Sequence, residues 1–129
     1  MRPPRVIGLV LCRSATFDPS LGGPTLSGVF HTLRCPTWPS PPQRFFAYAG
    51  LHDGEGEGTL TLVVHHLETE REVYRYQRWY AIPGGRRLLH LEVPVRRCVF
   101  PAPGRYALSL HFDANTLTVR ALDVRPEAR

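Results

Sequence analysis

The stretch Arg105-Tyr-Ala-Leu-Ser-Leu-His-Phe112 decides how the rest of the chain reads. On an extended backbone Tyr106, Leu108, Leu110 and Phe112 share one side, and Arg105, Ala107, Ser109 and His111 share the other. Successive side chains of a strand point to opposite faces, so this period of two marks a strand with one oily face. A helix would scatter the same four large residues around its circumference, because its period is 3.6. Asp113-Ala-Asn115 then supplies turn chemistry, and Thr116 to Val124 reads as the next strand.

The same alternation extends towards the N-terminus. Leu89, Leu91 and Val93 line one face of Leu88 to Val95, and Leu60, Leu62 and Val64 line one face of Thr59 to Leu67. Arg71 to Ala81, Arg44 to Leu51, Thr25 to Leu33 and Arg5 to Arg13 complete a set of eight expected strands. Turn formers separate them: Asp18 to Pro24, the Asp53-Gly-Glu-Gly-Glu-Gly58 run, Glu68-Thr-Glu70 and Pro83-Gly-Gly85. The segment Cys35 to Pro42 carries Pro36, Pro39, Pro41 and Pro42, so it is an extended loop, with Trp38 expected to pack it down. No window has the periodicity of an amphipathic helix, and no internal repeat is visible.

Short strands with turns between them predict an all-β fold, specifically an eight-strand antiparallel immunoglobulin-like β-sandwich. Pro103-Gly104-Arg105-Tyr106 adds a local reason. A tyrosine at the start of a late strand, just after a bend, can hydrogen-bond back across the corner, as in such sandwiches. A plain core aromatic is the other reading of Tyr106. With 129 residues, a single domain over 1–129 is expected.

Three groups of residues carry a family resemblance. They are Leu11-Cys12-Arg13 closing the first strand; Leu26-Ser27-Gly28-Val29-Phe30 before the proline-bearing loop; and Pro101-Ala-Pro-Gly-Arg-Tyr106 with Leu110, Asp113, Leu117 and Leu122-Asp-Val124. On these the chain resembles a group of small bacterial β-sandwich proteins known only as a domain of unknown function. The resemblance implies the fold and a bacterial source. It carries no functional residue, since the family has no known activity.

Composition narrows the function classes. The formal net charge is +5, and every one of the 16 basic residues is arginine. The charge is spread along the chain rather than gathered into a tail, and a GC-rich genome accounts for arginine without lysine. Cys12, Cys35 and Cys98 cannot all pair within one molecule, and no CxxC spacing occurs; free thiols in a reducing cytoplasm are expected. The apolar run Val6 to Cys12 is too short for a secretion signal, and no stretch approaches the ~20 apolar residues of a membrane span. A cytoplasmic protein is expected.

Four candidate chemistries can be weighed. His31, His52, His65, His66, His90 and His111 invite a metal, but His65 and His66 point to opposite faces of one strand. His90 and His111 both point away from the core, on what should be opposite outer surfaces. Surface or loop histidines are therefore expected, and no metal ligand is assigned. Asp53, Glu55 and Glu57 are spaced like oxygen ligands of a calcium loop, yet the full pattern is absent, and a solvated hairpin turn is the simpler reading. Cys35, in a loop, could pair with a histidine as a nucleophile, but no nucleophile elbow or cysteine motif accompanies it. No catalytic residue and no cofactor are assigned, and a non-enzyme is expected.

The fourth candidate is Arg71 to Tyr80, where arginines interleave with Tyr74, Tyr76, Trp79 and Tyr80. Such a set can grip a nucleic-acid backbone and stack bases, with Arg86-Arg87 and Arg96-Arg97 extending the surface. Alternation divides it, however: Tyr74, Tyr76, Arg78 and Tyr80 face one way, and Arg71, Val73, Arg75, Gln77 and Trp79 the other. Tyr, Trp and Arg are also the residues enriched where proteins bind proteins, and a sandwich offers edge strands for pairing. Arg75, Arg78, Trp79 and Tyr80 are accordingly the expected interface residues of a non-catalytic interaction or scaffolding module, whose partner is another protein or a second copy. A nucleic-acid binder and a metal- or calcium-binding sandwich are the alternatives.

Overall fold

The computed structural model describes residues 3–84 and 88–127. Among them ten strands form three sheets. The strands are β1 (Arg5–Cys12), β2 (Ser14–Asp18), β3 (Gly23–Ser27), β4 (Thr32–Cys35), β5 (Gln43–His52), β6 (Gly56–His66), β7 (Glu72–Ile82), β8 (Leu89–Cys98), β9 (Gly104–Phe112) and β10 (Asn115–Pro126). One sheet has the order β1-β5-β8, a second the order β4-β10-β9-β6-β7, and β2 with β3 makes a separate ribbon. No described helix is long and apolar enough to cross a membrane.

The expected count of eight strands is corrected to ten, all of the difference lying before residue 36. The first expected strand stands as β1 to within a residue, and an unexpected strand, β2, follows it beyond Arg13. The Arg13 N–H is taken by the carbonyls of Ser27 and Gly28, and the ribbon β2-β3 branches off there. The expected strand Thr25 to Leu33 divides into β3 and β4. Gly28 sits at φ +66, a conformation that halts a strand and that L side chains rarely adopt. The sheets are not wholly antiparallel either: β4 runs parallel to β10, from Thr32 opposite Asp123 to Cys35 opposite Pro126.

The core lies between the two larger sheets. Leu60, Leu62 and Val64 of β6, Tyr106, Leu108, Leu110 and Phe112 of β9, and Leu122 and Val124 of β10 face Leu11 of β1, Phe45 and Leu51 of β5, and Val93 and Val95 of β8. All are essentially inaccessible to solvent. Strand β9 is covered on its other side as well, since Ala107 and Ser109 are also buried. Flanked by β6 and β10, its small outward residues are shaded by neighbours.

The corner before β9 is tightly built. The Tyr106 hydroxyl donates to the Ala102 carbonyl at 2.6 Å, while its ring meets Phe100 and His66 edge-on at 4.9 and 4.8 Å. His66 Nδ1 accepts from the Thr69 N–H at 3.3 Å, so this histidine is a buried structural group and not the surface histidine expected. Gly104 makes room for it: the backbone there is at φ +145, and a Cβ would stand 2.8 Å from His66 Nε2.

Candidate interaction surface

Among the described residues strand β7 is one edge of the five-stranded sheet, paired with β6 alone. Register fixes where its side chains point. Tyr74, Tyr76, Arg78 and Tyr80 lie opposite Val64, Leu62, Leu60 and Gly58, on the core side of the sheet. Arg75, Gln77 and Trp79 lie opposite Val63, Thr61 and Thr59, on the outer face. The sequence-predicted residues are therefore divided as alternation requires: Arg75 and Trp79 outside, Arg78 and Tyr80 inside. They remain within one short stretch of edge.

The inward tyrosines overhang the narrower three-stranded sheet and pack on the core margin. Tyr74 ties the two sheets together there, its hydroxyl donating to the Pro94 carbonyl at 3.3 Å and accepting from the Arg96 N–H at 3.4 Å. On the outer side Trp79 leaves 63% of its surface in solvent. Arg75 clamps Glu72 through Nε and Nη2, the latter at 2.6 Å, and this hydrogen-bonded cation holds the Glu72 carboxyl below the usual carboxylate range.

The outer face continues inward from that edge as three cross-strand rows. Gln77, Thr61, His111 and Thr116 form one, Arg75, Val63, Ser109 and Val119 the next, and Glu72, His65, Ala107 and Ala121 the third. Within these rows Asp, Glu and Arg occur on β7 alone. His111 is kept below the ordinary histidine value, first by partial burial and then by Arg75 and His65. A shallow depression of ≈ 400 Å³ lies between Arg75, Gln77, His111 and Thr116.

The other candidates are scattered or sealed. His111 lies on the outer face of the five-stranded sheet, while His90 lies on that of the three-stranded one, stacked on Tyr48 and hydrogen-bonded to its hydroxyl. Asp53 turns its carboxylate to His52 at 3.0 Å, and Glu57 is already in β6 opposite Ala81. The 53–58 run is not a hairpin turn, because β5 and β6 belong to different sheets. Among the described residues no cluster of three or more His, Cys, Asp or Glu is placed to hold a metal ion.

Cys35 ends β4 rather than lying in a loop, and it is buried, as are Cys12 and Cys98. Burial pushes all three thiols up, Cys98 to about 12. A nucleophile needs the thiolate and access to substrate, and these sites favour neither. Arg96 is exposed on β8, and Arg97 is exposed with a left-handed backbone; the Arg86-Arg87 doublet lies outside the described residues. Sequence reading missed an apolar groove of ≈ 250 Å³ on the three-stranded sheet, floored by Gly8 and Gly50 and walled by Ile7, Val10 and Leu88. Its only signal was the glycine pair, which faces itself across β1 and β5.

A family model described as Family of unknown function (DUF6941) matches residues 8–125. No curated protein was found to match the chain.

Proposed function

This chain belongs to the Family of unknown function (DUF6941), and from that premise we propose that it is a non-catalytic protein-interaction module of a bacterial cell, built as an immunoglobulin-like sandwich. The strand order supports the fold reading. The run β10-β9-β6-β7 follows the G-F-C-C′ order of variable-type domains, β1-β5-β8 follows A-B-E, and the Tyr106 hydroxyl bonds back to Ala102 at the corner before β9. The ribbon β2-β3 is an addition to that plan.

The free edge of β7 carries the functional reading. Every second residue of an edge strand turns its N–H and C=O outward, a row that can be completed by another chain. The other edges of the two larger sheets are blunted: β4 has four residues, β1 is interrupted by the unpaired Ile7, and β8 contains Pro94 and the left-handed Arg97. Strand β7 is eleven residues long and regular from Tyr74 to Ile82, with Trp79 exposed beside it. Aromatic and arginine side chains next to unsatisfied backbone are what protein recognition uses most. Nucleic acid is served less well, since Arg75 is occupied by Glu72 and Arg78 lies on the opposite face.

The test compares complex size in extracts of the producing cells. The wild-type chain is expected in a species larger than its own 14.6 kDa, resistant to nuclease, with Trp79→Arg shifting it to the free chain. A wild-type chain running free, or a complex lost on nuclease treatment, would overturn the reading.

A further inference from the structure

Strand β7 carries a sequence that complements itself. In a continuous antiparallel sheet, directly opposed residues point to the same side. A two-fold axis relating two copies of β7 must therefore pass through a residue, and each choice of residue fixes every pair.

An axis through Arg75 or Arg78 sets two guanidinium groups directly opposite each other, which is unfavourable. One through Tyr76 places Trp79 against Val73, the residue left unopposed where the register between β6 and β7 shifts. One through Trp79 brings Arg75 against Pro83, which lacks the N–H a ladder needs. An axis through Gln77 avoids all three faults. It sets Arg75 against the second copy's Trp79 on the outer face, and Arg78 against its Tyr76 on the inner face. Tyr74 and Tyr80 then meet at the two ends. Each Arg–aromatic pair occurs twice, and a cation over an aromatic face is attracted by the negative face of the ring. The span from Tyr74 to Tyr80 is also the stretch that stays in regular register with β6, ending just before the irregularity at Val73.

We propose that two copies of this chain join through β7, antiparallel about a two-fold axis at Gln77, fusing their five-stranded sheets into one. The inference rests on the interaction reading above and names its partner as a second copy. Arg78 then has a defined role. An arginine on the inner side of an edge strand discourages indiscriminate pairing, and only the register that offers it Tyr76 relieves the penalty. The outer face of the sheet then runs on from one copy into the other, with the Arg75–Trp79 pairs at the junction.

Purified protein tests this directly. Gln77 is exposed, and in this register it alone of Tyr74 to Tyr80 faces its own copy, at a Cα separation of about 4.5–5.5 Å that a disulfide can bridge. The native cysteines are buried and do not compete. Gln77→Cys is expected to oxidise to a covalent dimer, whereas Tyr76→Cys and Val119→Cys stay uncrosslinked. In sedimentation across a concentration series the wild type should dimerise. Trp79→Arg, which opposes Arg75, should weaken the dimer about tenfold or more, and Trp79→Glu, which gives Arg75 an anion, should retain it. A symmetric disulfide at position 76 instead of 77 overturns the register. A monomer at every concentration with Gln77→Cys unlinked overturns self-pairing; the interaction reading fails only if the chain also runs free in cell extract or its complex is lost on nuclease treatment.

Discussion

Replacing Tyr106 by Phe removes one oxygen and leaves the ring. That oxygen makes a 2.6 Å bond to the Ala102 carbonyl from a side chain with no exposed surface. A net intramolecular hydrogen bond contributes about 0.5–1.5 kcal/mol, and an acceptor stranded without water costs more. Ala102 is itself exposed, so its carbonyl can be hydrated once the hydroxyl is gone. The loss should therefore sit near the middle of that range, about 1 kcal/mol. Unfolding entropy of about 2.1 cal/mol/K per residue over 129 residues turns this into a fall in Tm of about 4 °C. Tyr106→Ala also removes the edge-on packing against Phe100 and His66, and should cost about 3–5 kcal/mol. Urea denaturation monitored by fluorescence, with thermal scans alongside, measures both variants. A Tyr106→Phe protein as stable as wild type, or as damaged as Tyr106→Ala, would refute the assignment of separate roles to hydroxyl and ring.

Three further outcomes follow from the same structure. Leu110→Ala should lose about 2–5 kcal/mol in urea unfolding, while Val119→Ser on the outer face changes stability by less than about 0.5 kcal/mol. Gly104→Ala combines a disfavoured φ with a clash against His66 and should cost about 2–3 kcal/mol; a neutral result would mean the corner relaxes freely. The cysteines should resist a thiol reagent until the chain unfolds. Because the folded Cys98 thiol is pushed up to about 12 from 9.0, the unfolded chain releases its proton first on the alkaline side. This contribution to stability is complete below pH 9 and is lost progressively as pH rises towards 12. Cys98→Ala should flatten that slope in denaturation curves taken across the range.

Much of the fold was legible because alternation is a strong signal wherever one sheet face is oily. Leu60, Leu62 and Val64, Leu91 and Val93, and Tyr106, Leu108, Leu110 and Phe112 all turned inward as their spacing required. The first 35 residues were harder. Arg5 to Cys12 is nearly all apolar and lacks alternation, and nothing local shows that Arg13 leaves the sheet, since its partners Ser27 and Gly28 are distant in sequence. The parallel pairing of β4 with β10 is likewise a long-range choice. His66 read as a surface residue because its partners Thr69, Gly104 and Tyr106 are brought together only by the fold. At the candidate surface, alternation alone divided Arg75 and Trp79 from Arg78 and Tyr80. That β7 is an edge, which lets both sets act together, depends on sheet order and could not be read from the strand itself.

Hydrogen exchange at the β7 amides, followed as protein concentration rises, tests the proposed edge most directly. Alternate amides between Tyr74 and Tyr80 should exchange rapidly in dilute solution and become protected as copies pair, while amides along β4 keep the same rates throughout. Rates in β7 that ignore concentration, or protection gained at β4 instead, would contradict pairing of two copies through this strand.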